Sequence, residues 1–142
     1  MEDLYSLLRT QQYSGRGIIL GSTPSGKVAS AYFIMGRSAS SRARRFVRNG
    51  DDLTIKYTAD RDPEHAELII YSPIRVLGNR LIVTNGDQTD TIREYGDFRA
   101  ALATREYEPD EPNWTPRISA LLRADGSFSL SILKRVDGRC LR

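Results

Sequence analysis

The chain has 142 residues, with 21 basic and 18 acidic side chains for a net charge of +3, 39% hydrophobic and 27% charged. That length suits one domain, residues 1–142, large enough to bury a core, and the composition excludes a disordered or membrane-embedded chain. So mild a charge argues against a dedicated nucleic-acid binder, and a single cysteine, Cys140, leaves no intrachain disulfide to form.

Residues 3–12 (DLYSLLRTQQ) read as a short helix with Leu4, Leu7 and Leu8 on one face and Asp3 as its cap. GRGIILG and KVASAYFIM read as two strands joined by STPSG, in which Pro24 and Gly26 suit a tight turn. RRFVRN and DLTIKYT form a second hairpin around Asn49-Gly50-Asp51. Residues 60–66 (DRDPEHA) are a polar loop, ELIIYSPIRVLG holds one or two strands broken at Pro73, and RLIVTNG is a strand ending in Asn-Gly. DQTDTIREYG and DFRAALATREY then read as helices; in the second, Asp97 caps and Phe98, Ala101 and Leu102 share a face. EPDEPNWTP is a loop, and RISALLRA with SFSLSILKRV closes the chain as a hairpin turned at Asp125-Gly126. The order of strands, a helical pair and more strands predicts an α+β fold with mostly antiparallel sheet.

Three segments could carry chemistry. In AYFIMGRSASSRARRFVRNG, Arg37 and Arg42 flank SASS, where the hydroxyls of Ser38 and Ser41 and the loop amides suit an anion such as phosphate. Arg44, Arg45 and Arg48, which follow, read as solvated surface. In TNGDQTDT a strand runs straight into a helix. Gly86 permits close approach there, and Asn85 and Asp90 suit hydrogen bonds to a polar heterocycle; the plainer reading is a turn capped by Asp87 or Thr89. In YEPDEPNWTPR, stiffened by three prolines, Glu108 stands at a helix end, a firm place for a proton-transfer group, among Asp110, Glu111 and Arg117.

Other chemistries are excluded. The only histidine, His65, permits neither a Ser-His-Asp triad nor a multi-histidine metal site, and no GxGxxG or P-loop string occurs. Only Phe46 and Tyr57 lie near the basic run, a poor stacking platform for nucleic acid. No leader or membrane-spanning run is read, which makes the cytoplasm the default location.

Taken together and in order, GRGIILGSTPSGK, AYFIMGRSASSR, VTNGDQTDTI and YEPDEPNWTPRIS resemble the IMP cyclohydrolase family, archaeal type and bacterial relatives, from Gly15 to at least Ser119. The resemblance implies an αββα sandwich like that of the N-terminal-nucleophile hydrolases, with two mostly antiparallel sheets. It implies a reaction in which the carboxamide nitrogen of 5-formamidoimidazole-4-carboxamide ribonucleotide attacks the formyl carbon and water leaves, giving IMP in purine biosynthesis. Nucleophile and electrophile both belong to the substrate, so the enzyme supplies orientation and proton transfer, and neither metal nor cofactor is expected.

By position, the resemblance gives Arg42, Tyr71 and Glu108 to the active site. Glu108 would be the principal acid/base, Tyr71 a donor to the formyl oxygen, and Arg37 with Arg42 would hold phosphate or polarise the carbonyl. Asn85, Gly86, Asn113, Thr115 and Arg117 fall in the matching substrate-binding segments. A core tyrosine for Tyr71, and an ion pair with Glu108 or Asp110 for Arg117, are the structural alternatives. Family members run on well past Arg142, so the resemblance implies a sheet incomplete at its C-terminal side, a shortened or fragmentary chain, or a face covered by a second copy. The alternative to the enzyme is a non-catalytic relative that binds a purine nucleotide in the same pocket. In either case the expected partner is a small nucleotide, with no nucleic acid and no membrane.

Overall fold

Asp and Gly residues at the expected turns fold the strands back on their sequence neighbours, so local pairing dominates the architecture. The computed structural model describes residues 3–58 and 69–142. The expected 60–66 loop, with His65, lies outside them. The elements are α1 (Leu4–Thr10), β1 (Arg16–Ser22), β2 (Val28–Ile34), α2 (Ala39–Arg42), β3 (Arg44–Asn49), β4 (Asp52–Tyr57), β5 (Ile74–Leu77), β6 (Arg80–Thr84), α3 (Gln88–Tyr95), α4 (Phe98–Ala103), β7 (Arg117–Arg123), β8 (Phe128–Val136) and β9 (Arg139–Leu141).

The strands make two antiparallel sheets: the β1–β2 hairpin, and a seven-stranded meander in the order β3-β4-β5-β6-β7-β8-β9. The fold is therefore mixed α and β with few helices, as the strand and helix patterns predict. Strand β9 is an addition to that expectation. Asp137 (φ 48°) and Gly138 (φ 76°) turn the chain after β8 and pair Arg139–Leu141 back onto it. The Asp-Gly pair was the available signal, since both of its positions tolerate the left-handed region.

Side chains alternate across the large sheet, and the register puts Ile82, Leu121 and Leu133 on one face. There they form the core with Ile92 of α3 and Phe98, Ala101 and Leu102 of α4. Those last three are the face expected of the second helix, and Asp97 caps it by accepting from the Ala100 amide at 2.7 Å. The β1–β2 hairpin covers part of the other sheet face. Ile18 faces Ile118, Leu130 and Ile132 there, and the Tyr32 ring stands edge-on to Phe46 with centroids 6.1 Å apart. The cover is partial, and Phe128, Leu130 and Ile132 of β8 stay exposed on that face.

Two local expectations change. Asp3 caps α1 through the Tyr5 and Ser6 amides, yet α1 buries none of its residues, so its leucine face is not a core face among the described residues. SASS is not an open loop but opens the single turn α2. Ser38 accepts from the Ser41 amide at 3.0 Å, and the Ser41 hydroxyl receives the Ser38 amide at 2.9 Å, a reciprocal cap. Gly36 makes room for that turn, since a Cβ there would lie 2.4 Å from the Ser41 carbonyl. No helix among the described residues is long and apolar enough to cross a membrane.

Candidate active site

The start of β1, the end of β2, the end of β6 and the start of β7 meet at one end of the two sheets. A cavity of about 360 Å³ opens there, lined by residues that include Arg16, Arg37, Arg44, Glu108, Asp110 and Thr115. That volume lies within the range of small-molecule sites. Three arginines against two carboxylates make the wall net cationic, suited to an anionic ligand.

Glu108 is the buried acid of this wall, 3% exposed. The loop that carries it is locked by Asp110, whose carboxylate accepts from the Thr115 amide at 2.6 Å and from the Thr115 hydroxyl. The Glu108 amide in turn donates to the Thr115 carbonyl at 2.9 Å. Trp114 pins the same loop, edge-on to Tyr107 and under the Arg135 guanidinium at 4.4 Å. Glu108 therefore sits on a stiff support.

Arg16 is the residue that reading the sequence missed. Its Nη2 donates to Glu108 Oε2 at 2.9 Å and its Nη1 to the Asn85 carbonyl at 2.6 Å. A lone Arg at a strand start carries no local signal; only cross-sheet packing gives it a role. Burial pushes the Glu108 carboxyl above the usual carboxylate range, outweighing the pull of Arg16 and Arg117 in the other direction. Burial also works against the Arg16 charge, but Glu108 outweighs it, so the guanidinium holds its proton more firmly than a free one.

Behind Arg16 lies a pair of phenols. The Tyr71 hydroxyl, on a residue 5% exposed, is 2.6 Å from that of Tyr32. Burial raises the Tyr71 phenol pKa, opposed by Arg16, by the Tyr32 bond and by Arg44. Tyr71 sits beneath the cavity wall rather than on it. Arg44, expected at the surface, instead lines the cavity, donating to the Ser41 and Ile69 carbonyls. Its strand start is turned inward by the same packing that seats Phe46 against Tyr32.

The other candidates divide into two groups. Arg37 reaches across the mouth to Asn113 Oδ1 at 3.0 Å and lies over the Tyr13 ring, so Arg37, Ser38, Ser41, Asn113 and Thr115 share the cavity with Glu108. Arg42 does not line it; its Nε donates to the Gly36 carbonyl at 3.0 Å and holds the loop instead.

Asp90 also stands away, paired with Arg75 of β5. Asn85 spends its side chain inside the fold: Oδ1 accepts from the Ile118 amide at 2.9 Å and Nδ2 donates to the Pro116 carbonyl at 2.8 Å. Arg117 is buried behind the site, where it donates to Asp87 and to Gln88 Oε1 at 2.8 Å. Its ion-pair partner is thus Asp87, not Glu108 or Asp110. Asp87 makes no capping bond to α3, because its carboxylate is taken by Arg105 and Arg117. Gly86 threads between these layers: a Cβ there would lie 2.6 Å from Gln88 Oε1 and 2.8 Å from Arg117 Nη1.

Two antiparallel sheets thus carry, at one end, a net cationic cavity whose wall holds a buried carboxylate bonded to a guanidinium, an arrangement able to hold an anion beside a proton-exchanging group. The chain belongs to the IMP cyclohydrolase-like protein family, whose model matches residues 13–140. It is 36% identical over 119 residues to the IMP cyclohydrolase of Methanocella arvoryzae, covering 78% of this chain and 57% of that one. It is 34% identical over 118 residues to that of Methanocaldococcus jannaschii, covering 78% and 56%. With that of Methanococcus aeolicus the identity is 32% over 124 residues, covering 82% and 61%. The chain thus spans 56–61% of the length of these relatives.

Proposed function

We propose that this chain, as one domain over residues 1–142, acts as an IMP cyclohydrolase, interconverting 5-formamidoimidazole-4-carboxamide ribonucleotide and IMP with loss or gain of water. The observation that carries the reading is the Arg16–Glu108 pair at 2.9 Å, buried at the wall of a net cationic cavity in a chain of this family. In the proposed cyclisation, Arg37 and Arg44 hold the phosphate. The substrate's carboxamide nitrogen attacks its own formyl carbon, and ionised Glu108 takes the nitrogen's proton. Arg16, and Tyr71 beneath it, stabilise the charge that grows on the formyl oxygen. Glu108 returns that proton to the new alkoxide, making it a hydroxyl; as the C–O bond breaks, the former formamido nitrogen gives its own proton through Glu108 to the departing hydroxyl, the C=N bond of the purine ring forms, water leaves and the carboxylate is regenerated. A carboxyl held above its ordinary range by burial suits both halves of this exchange.

The two sheets, with helices packed on the outer face of the larger one, support an αββα arrangement of the N-terminal-nucleophile type for the family domain. The reading needs no terminal nucleophile, because the substrate carries its own.

The test is turnover by the purified chain, followed by the change in ultraviolet absorbance as the purine ring closes. Saturable conversion is expected. Nucleotide binding without conversion would leave only the non-catalytic reading.

A further inference from the structure

We infer that Asp87 is a positioning residue for Glu108: it holds Arg117 at the back of Gly86, behind the carboxylate, and offsets part of the charge that Arg117 presents there. The inference rests on the proposed cyclisation, in which Glu108 exchanges the proton, and it gives a role to a side chain that does not line the active-site cavity.

The arrangement starts from the backbone. Gly86 stands between the end of β6 and the start of α3, and it has no Cβ. One added there would lie 3.2 Å from Glu108 Oε1 and 2.8 Å from Arg117 Nη1, so the two charged groups close on the same empty spot. Glu108 Oε2 is taken by Arg16 at 2.9 Å. The carboxylate therefore has a guanidinium from each sheet: Arg16 of β1 in direct contact, and Arg117 of β7 across the gap at Gly86.

Arg117 is 5% exposed, and a charge so buried needs a fixed anion. Among the described residues Asp87 is the only carboxylate that bonds it; its other acceptor is the neutral Gln88 Oε1 at 2.8 Å, and its Nε has no partner. The second Asp87 oxygen accepts from Arg105, just after α4. Charges of alternating sign thus run inward to outward as Arg16, Glu108, Arg117, Asp87 and Arg105. The other charged groups nearby are Asp110, locked to Thr115 on the loop of Glu108, and Glu106 beside Arg105.

Coulomb's law fixes the sign of each change. Without the Asp87 charge, Arg117 is unbalanced next to Glu108, which favours the ionised carboxylate. Without the Arg105 charge, Asp87 acts more strongly, which favours the protonated one. Neither residue lines the active-site cavity, so the contacts assigned to phosphate are left in place.

The test is a pair of variants with opposite expected signs. Asp87→Asn keeps one acceptor oxygen for Arg117 and removes the charge. The acidic limb of its kcat/KM profile should move to lower pH by about half a pH unit, a size set by the screening of a half-exposed charge. Arg105→Gln should move the limb to higher pH, by a smaller amount. A limb unmoved in Asp87→Asn, or displacements of the same sign in the two variants, would overturn the inference; an Asp87 that is merely structural lowers stability and leaves the limb in place. Should Asp87→Asn fail to fold, Arg105→Gln decides alone, and a limb that stays or falls overturns it.

An arm independent of activity uses glutamate labelled with ¹³C at Cδ, the Glu108 resonance being the one lost in Glu108→Gln. Its titration midpoint should fall in Asp87→Asn and rise in Arg105→Gln; equal midpoints would overturn the inference even in an active enzyme. Absence of wild-type turnover would sink the cyclohydrolase reading alone, and opposite displacements of the midpoint would still establish the link from Asp87 to Glu108.

Discussion

Arg16 Nη2 lies 2.9 Å from Glu108 Oε2, joining residues 92 positions apart across the two sheets. The pair is nearly dry, its side chains 15% and 5% exposed. Burial pushes the Glu108 carboxyl up and the Arg16 guanidinium pulls it back part of the way. The balance between the two effects sets the working state of the site.

Replacing Arg16 with Gln removes the cation and leaves the burial. The Glu108 carboxyl should then titrate at a still higher pH, so the acidic limb of the kcat/KM profile should move toward higher pH. The variant should also lose roughly 2–3 kcal/mol of stability, because a charge is left inside without its partner. A pH–rate profile and a urea titration check both parts. An unmoved acidic limb would disconnect Arg16 from the reacting acid.

Glu108→Gln keeps the shape and the hydrogen bond to Arg16 but cannot exchange a proton. Turnover should fall by about 10²-fold or more, the usual scale for losing general acid–base catalysis. KM should change little, since phosphate contacts are untouched. Initial rates at saturating nucleotide decide it, and an unchanged rate would remove Glu108 from the chemistry.

Gly86→Ala presses a methyl against Gln88 and Arg117, with Glu108 Oε1 only 3.2 Å from the new atom. The expected cost is about 1–3 kcal/mol in stability, the scale of overpacking. Under the proposed cyclisation a tenfold or larger loss in kcat should accompany it, since the carboxylate assigned to proton transfer is displaced. Thermal melts and rates measured together test the pairing of the two effects.

Asp87 and Asp52 link the helices to the sheet. Burial pushes both carboxyls up, but Arg105 and Arg117 on Asp87 outweigh it, as do the Val76 amide, Arg75 and Arg93 on Asp52, so both lie below the usual carboxylate value. A group whose folded pKa is depressed contributes stability above its unfolded pKa, about 4, and loses it as pH falls through the folded value. Asp87→Asn should therefore destabilise by about 1–2 kcal/mol at pH 7, a figure reduced for the half-exposed carboxylate, and flatten the acid limb of the stability curve. Urea midpoints between pH 7 and pH 2 measure it; equal acid slopes in both proteins would contradict the account.

Local chemistry in the chain already specified most of the strands and both packed helices. Alternating apolar residues, Asn-Gly and Asp-Gly turns, and the Asp97 cap act over a few residues, so their outcome is readable in place. The stiff loop that carries Glu108 and the serine turn beside Arg37 were readable in the same way, and both residues line the cavity. What neighbouring residues cannot specify is which charges face each other. Arg16, Arg44 and Tyr32 look like ordinary strand residues, and Asp90 and Arg117 look as though they belong to a site. Packing the hairpin across the large sheet brought Arg16 to Glu108, Arg44 to the same cavity and Tyr32 to Tyr71, while the pull of Arg75 and Asp87 drew the last two into the frame. Pairing of buried charges depends on distance in space, and only the folded arrangement of the two sheets determines that distance.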